Sequence, residues 1–182
     1  MNARWVPLAG FLVLFALLGG GVWYVRDHAP NELPSPLIGK SVPEFSLPHL
    51  YAPERRTDTR ALRGKPYVMH VFASWCYVCR DENALLIREG RRLGVKLIGF
   101  DYKDEPSEAK RWLQMYGDPY DLILTDIEGE AAIDFGVYGA PELFLVDGEG
   151  TIRYKRVGPL TPEVLGAELL PAIAALKTGG AR

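Results

Sequence analysis

Cysteine is scarce in this chain: Cys76 and Cys79 are the only two among 182 residues. That scarcity excludes a multi-disulfide secreted mini-protein and a structural zinc site of four cysteines. Charge of one sign is lacking as well, with 21 basic against 23 acidic side chains and a formal net charge of −2. Without a broad positive field, nucleic acid is not an expected partner. Fourteen prolines and 19 glycines are too few for collagen or for a wholly disordered chain. No internal repeat or long low-complexity tract is present. The length suits one globular domain with something attached.

What is plentiful is apolar, and it is unevenly spread. Hydrophobic residues make up 48% of the chain, and residues 5–25 form one uncharged run bounded by Arg4 and by Arg26 and Asp27. As a helix, about 20 such residues match the hydrocarbon core of a bilayer. Trp5, Trp23 and Tyr24 suit the two interfaces, and Pro7 lies near the start, where a helix tolerates it. A cleaved secretory signal has a shorter apolar region ending in small residues. Here the run passes Gly19–Gly21 and ends in the bulky Val22, Trp23, Tyr24 and Val25. The expectation is a short tail at 1–4 and an uncleaved transmembrane signal-anchor at 5–25, in contact with membrane lipid. Flanking charges on both sides leave its orientation open. Residues 26–36 contain Pro30, Pro34 and Pro36 and read as an extended linker.

The domain is read as 37–176, followed by a tail at 177–182. Tyr67–Ala73 (YVMHVFA) is aromatic and β-branched behind Gly64 and Pro66, which predicts a buried central strand. A helix is predicted over 76–92, a strand over 95–100, a helix over 107–116, a short strand over 122–124 and a short helix over 129–135. Leu143–Val146, the turn Asp147–Gly150 and Thr151–Val157 predict a β-hairpin, and Pro162 opens a closing helix to about 176. A parallel βαβ half joined to an antiparallel hairpin half is an α/β sandwich around one mixed sheet. About 140 residues bury a substantial core without disulfide staples.

The two cysteines lie three apart in Trp75-Cys76-Tyr77-Val78-Cys79, between the central strand and the helix. Residues three apart in a first helical turn share a face, close enough for their sulfurs to bond. At a helix start, unpaired backbone N–H groups and the dipole favour the Cys76 thiolate, the form that attacks disulfides. Cys79, one turn deeper, is placed to resolve the resulting mixed disulfide. Two other readings stay open here. One is an inert staple, a weak stabiliser because so small a loop removes little unfolded-chain entropy. The other is a copper-handling module with both thiolates and His70 as ligands.

Phe72–Arg80 (FASWCYVCR), together with Gly136–Glu142 (GVYGAPE), resembles the thioredoxin-fold family. More narrowly it resembles its DsbE/CcmG branch, membrane-anchored periplasmic proteins of cytochrome c maturation. The similarity runs from about Leu37 to Ala174 and also draws on Asp101–Asp104 and the hairpin Leu143–Tyr154. It implies a thioredoxin fold, a mixed central sheet flanked by helices, behind the N-terminal transmembrane anchor. It further implies a cis peptide between Ala140 and Pro141, with the proline against the active-site disulfide and the preceding backbone free to pair with a substrate peptide. An ordinary turn proline opening a strand is the plainer alternative.

By the same resemblance Glu82 and Glu142 are acids near the site that raise the thiol pKa, although Glu82 also reads as a solvated helix-start acid. Trp75, Tyr77 and Val78 complete the active-site support. Tyr138, Ala140 and Pro141 are expected to hold a polypeptide substrate, and Tyr138 packing under a loop is the alternative. Gly136–Tyr138 and an Asp101–Asp104 loop are expected near the catalytic face. Tyr77 departs from the proline common after the family's first cysteine, which puts reduction potential and partner fit in doubt. A peroxide-reducing relative is disfavoured because the Pro-x-x-x-Thr-x-x-Cys setting is absent around Cys76.

The implied activity is a protein-disulfide reductase with no cofactor and no metal. It sits as a single-pass protein of the bacterial inner membrane with its catalytic domain in the periplasm. The implied clients are apocytochrome c or its maturation partners, and the implied electron donor is a membrane transporter of the DsbD/CcdA type. A broader-specificity periplasmic disulfide oxidoreductase is the alternative.

Overall fold

Residues 5–27 and 35–179 are described by the structure, a computed structural model. The chain divides into two compact units, one ending at Pro34 and the other beginning at Ser35. In the first, α1 (Val6–Asp27) has 22 residues, so it is about 33 Å long. It is apolar and long enough to cross a membrane, and its side chains are exposed through Tyr24. The expected tail at 1–4, linker residues 28–34 and residues 180–182 lie outside the described residues.

The second unit opens with a hairpin the sequence does not signal, β1 (Ser46–Pro48) against β2 (Arg56–Asp58). Three-residue strands are too short for a periodic pattern. A 3₁₀ turn follows at Thr59–Leu62, capped by the Asp58 carboxylate, which accepts the Ala61 N–H at 2.8 Å. Then come β3 (Tyr67–Phe72), α2 (Cys79–Glu89), β4 (Lys96–Tyr102), α3 (Pro106–Tyr116), β5 (Leu122–Asp126) and α4 (Glu130–Asp134). The hairpin β6 (Glu142–Val146) and β7 (Ile152–Val157) follows. The last helical stretch comprises α5 (Pro162–Val164), a π-type segment (Leu165–Leu169) and α6 (Leu170–Gly179).

The main sheet has the order β5-β4-β3-β6-β7. Strands β3, β4 and β5 are parallel, and β6 and β7 are antiparallel to their neighbours. This is the mixed, helix-flanked sheet of the thioredoxin fold. All six residues of β3 are buried because it is central and covered on both faces.

Alternation along β3 divides the core. Met69 and Val71 join Ile98, Phe100, Phe135 and Phe144 on one face. On the other, Val68 packs with Leu85, Leu86 and Leu145, while Phe72 packs with Cys76, Cys79 and Trp112.

Several boundaries correct the sequence reading. Helix α2 starts at Cys79 rather than residue 76, because the Cys76 sulfur takes the Cys79 N–H and the amides of Arg80 and Asp81 reach back only three residues. Strands β4 and β5 each run two residues further than expected and carry Asp101, Tyr102, Thr125 and Asp126. Their polarity reads as loop, yet Asp101, Thr125 and Asp126 are buried. The closing helix is interrupted by its π-type segment, and it takes in Lys177–Gly179 from the expected tail.

Phe135 is fully buried among Phe45, Phe100 and Phe144, with ring centroids 5.4–6.0 Å away. Phe135→Ala is expected to cost about 3–5 kcal/mol. It should lower the urea midpoint without changing the slope of the transition. A loss below about 1 kcal/mol would show that this cluster does not hold the sheet face.

Candidate active site

The parallel strands β3 and β4 end side by side, and the chain leaving β3 builds the site there. Ser74 is fixed by Asp104, whose carboxylate accepts its backbone N–H at 2.5 Å and its hydroxyl at 2.8 Å. The Trp75 indole N–H donates to the Lys103 carbonyl at 2.9 Å. Lys103 has φ 46°, a left-handed conformation unusual for a residue with a side chain. With Ser74 and Trp75 held, Cys76 and Cys79 form a disulfide with S–S 2.04 Å and Cα atoms 5.3 Å apart. The Cys79 N–H donates to the Cys76 sulfur at 3.2 Å. Cys76 is 5% exposed and Cys79 is completely buried. Around this nearly covered sulfur pair Trp75, Tyr77 and Val78 are exposed, forming an apolar rim. The Arg80 guanidinium lies 4.9 Å from the Tyr77 ring centroid.

Three residues after Cys79 on α2, Glu82 is buried, which corrects its reading as a solvated helix-start acid. One carboxylate oxygen accepts the Leu160 N–H, and the other is 3.3 Å from His70 Nε2. His70 Nδ1 is 2.8 Å from the Tyr120 hydroxyl. Both imidazole nitrogens are therefore engaged inside the core, and the reading of His70 as a copper ligand is corrected on that ground. Tyr120 and Phe72 stack with centroids 4.9 Å apart. Gly99 of β4 leaves room for them, since a Cβ there would meet both rings at 3.0 Å.

A second wall comes from the segment before β6. The Ala140–Pro141 peptide is cis, as the family resemblance implied. Ala140 is half-buried against the cluster that holds both cysteines, and Pro141 is buried. Glu142 is buried too. It accepts the Tyr138 backbone N–H at 2.6 Å and pairs with Lys155 Nζ at 3.1 Å. Lys155, equally buried, donates to the Gly136 carbonyl at 2.6 Å and lies under the Tyr138 and Phe144 rings. Tyr138 itself is 85% exposed, so it does not pack under a loop. Sequence reasoning missed Lys155. Nothing in Arg153-Tyr154-Lys155-Arg156 marks which cation turns inward, and the partner that draws it in is thirteen residues away.

Asp101 belongs to β4 rather than to the expected loop, paired in register with Phe72. It is 1% exposed, and among the described residues no N–H or hydroxyl donor reaches either carboxyl oxygen, which leaves the Asp104 carboxyl as its polar neighbour. Burial above all, then the charge of Asp104 and a hydrogen bond with it, push the Asp101 carboxyl from 3.8 up to about 8. The folded chain thus keeps a proton that the unfolded chain loses near pH 3.8, so stability falls as pH rises from about 4 to about 8 and levels off above. Asp101→Asn should remove that slope, about 1.4 kcal/mol per pH unit within the window. Its urea midpoint should exceed that of the unsubstituted chain by more at pH 8 than at pH 5. An equal difference at both pH values would contradict the buried, protonated carboxyl.

Comparison with known proteins agrees with this geometry. The Redoxin family model matches residues 37–169. The thiol:disulfide interchange protein DsbE of Allochromatium vinosum is 47% identical over 174 residues, covering 96% of this chain and 94% of that protein. The DsbE of Escherichia coli K12 is 41% identical over 171 residues, covering 91% and 90%. Among solved structures, a secreted Mycobacterium tuberculosis disulfide oxidoreductase homologous to E. coli DsbE superposes with a TM-score of 0.60. It has 21% identity and covers 72% of this chain and 96% of that one, which bears on the fold alone. The chain therefore belongs to the redoxin family, and within it to the DsbE thiol:disulfide interchange proteins, as a thiol-disulfide oxidoreductase carrying the Cys76–Cys79 pair.

Proposed function

We propose that this oxidoreductase is anchored in the bacterial inner membrane by residues 5–25, with its domain in the periplasm. There it reduces disulfides in apocytochrome c or in the maturation proteins that hold it. The observation that carries the reading is the contrast between the two sulfurs: Cys76 reaches the surface inside an exposed aromatic rim, while Cys79 is completely buried. In the reduced protein the Cys79 N–H that donates to the Cys76 sulfur favours its thiolate. That thiolate attacks a client disulfide, forming a bond between Cys76 and one client sulfur and releasing the other as a thiol. Cys79 then attacks the Cys76 sulfur, and the client leaves with both electrons.

A client reaches Cys76 only across Trp75, Tyr77 and Val78, with Tyr138, Ala140 and Pro141 on the other side. Such a rim favours a segment able to cover exposed aromatic surface. Supporting the anchor is α1, with the length and apolar character of a membrane span. Two buried carboxylates, Glu82 three residues after Cys79 and Glu142 directly after Pro141, disfavour easy ionisation, in keeping with a protein of few clients. Because the chain has no third cysteine to relay electrons, a membrane donor of the DsbD/CcdA type has to act on Cys76 itself.

In a membrane preparation of the full chain, Cys79→Ala should trap a disulfide-linked adduct with apocytochrome c. The adduct should disappear with dithiothreitol or with Cys76→Ala. Adducts spread over many unfolded proteins, with no preference for apocytochrome c, would instead favour the broader-specificity oxidoreductase.

A further inference from the structure

Resolution of the mixed disulfide sets a problem that the surface of the molecule does not solve. Cys79 must lose its proton to become a nucleophile, and it is completely buried in a cluster of Phe72, Ala73, Trp112 and Leu113. A thiolate made there with its proton released to water leaves an uncompensated buried charge, which is costly. The proton has to go to a group inside.

The groups facing this interior come from three elements. Asp101 lies on β4, Glu82 on α2, and Tyr120 with Asp118 on the segment before β5; His70 stands between them on β3. Asp101 already carries a proton at neutral pH, since its carboxyl is pushed up to about 8. Tyr120 is held well above its ordinary range by burial and by the charges of Glu82 and Asp118, so its hydroxyl keeps its hydrogen. Glu82 follows Cys79 by three residues on the same helix, a spacing that puts side chains next to each other.

We propose that His70 is the proton store of the resolving step: it holds, behind Glu82, the proton that Cys79 releases. This rests on Cys79 being the resolving thiol, as in the function proposed above. The geometry allows storage without moving a heavy atom. With His70 neutral, its Nδ1–H donates to the Tyr120 oxygen and Nε2 is open toward Glu82. With His70 protonated, Nδ1–H still donates to Tyr120, and the proton that arrives through Glu82 sits on Nε2 and donates back to the carboxylate. Charge is conserved inside the core. A thiol beside a carboxylate and a neutral imidazole becomes a thiolate beside a carboxylate and an imidazolium, with the same net charge before and after.

The step balances. Cys79 thiol, neutral His70 and the Cys76–client disulfide give the Cys76–Cys79 disulfide, protonated His70 and a client thiolate. The bond between the Cys79 and Cys76 sulfurs forms as the Cys76–client bond breaks, and two electrons pass to the client. The client thiolate takes its proton from solvent, and the proton on His70 returns to Cys79 when a donor next releases that sulfur as a thiolate. Glu82 is the group next to the reacting thiol, and His70 and Tyr120 act through it as positioning residues.

The test uses the full chain in detergent and an aromatic disulfide, 5,5′-dithiobis(2-nitrobenzoate), as probe. One coloured thiolate leaves when Cys76 is charged, and a second leaves when Cys79 resolves the adduct. His70→Asn should slow the second release about tenfold or more near pH 6.5, the lower range for loss of a general base. The deficit should close about one pH unit above the ordinary thiol value of roughly 8.5, where hydroxide takes the proton. Tyr120→Phe, which keeps the ring stacked on Phe72, should give a smaller loss with the same pH dependence. Glu82→Gln should lose at least as much as His70→Asn, and the double variant no more than Glu82→Gln alone.

An unchanged pH profile in both His70→Asn and Tyr120→Phe, or a loss equal at every pH, would overturn the proposal, as would additive losses in the double variant. Absence of any second release from the unsubstituted chain would instead overturn the resolving role of Cys79, so the two failures are told apart.

Discussion

One constraint organises this domain: a sulfur that must change its charge sits where water does not reach. Cys79 has no exposed surface, and Cys76 has only 5%. A charged atom in such a place is tolerated only when nearby groups are arranged for it. The surroundings of the pair are accordingly rich in polar groups buried in or beside an apolar core. Glu82 is held by His70 and the Leu160 amide, His70 by Tyr120, and Asp104 by Ser74. Asp101 is held neutral by burial itself. These groups gather at the C-terminal ends of β3 and β4, whose remaining residues belong to an ordinary hydrophobic core.

The antiparallel half of the sheet contributes the second wall. Lys155 on β7 and Glu142 on β6 form a pair of which neither partner is more than 3% exposed. Each also binds the backbone of the segment between them: Lys155 takes the Gly136 carbonyl and Glu142 the Tyr138 amide. Removing one member of a buried pair leaves the other uncompensated, which typically costs about 3–5 kcal/mol. The stretch that carries Tyr138, Ala140 and Pro141 is thereby tied to rigid strands although it is itself irregular. Placement of the rim is a consequence of charge pairing in the core.

The sequence conveyed the sheet well where strands were central or paired through a tight turn. β3 is legible because all six of its side chains are apolar or fit a buried face, and the hairpin because Asp147–Gly150 is strong turn chemistry. The hairpin β1–β2 was not legible, since its strands are three residues long and held by partners distant in sequence. Polar strand ends misled in a physical way: Asp101 and Asp126 read as loop because a carboxylate seldom lies in a strand, and here long-range packing overrides that preference. At the site, the cysteine spacing was readable from residues alone, and the Ala140–Pro141 isomer only through the resemblance. The partners of Glu82, His70 and Lys155 were beyond reach, because each is set by three-dimensional proximity across twelve or more residues.

These pieces bear on the proposed direction of the chain's chemistry. A nearly covered attacking sulfur, a fully buried resolving sulfur and the buried carboxylates of Glu82 and Glu142 support the proposed direction, in which the pair stays oxidised once it has delivered its electrons and acts as a reductant while a donor keeps it reduced. The equilibrium reduction potential of the Cys76–Cys79 pair, measured on the full chain against a glutathione or dithiothreitol couple, tests this most directly. A reductant should have a value nearer the roughly −270 mV of thioredoxin than the roughly −120 mV of the strong oxidant DsbA. A potential at the oxidising end of that range would contradict the reducing role.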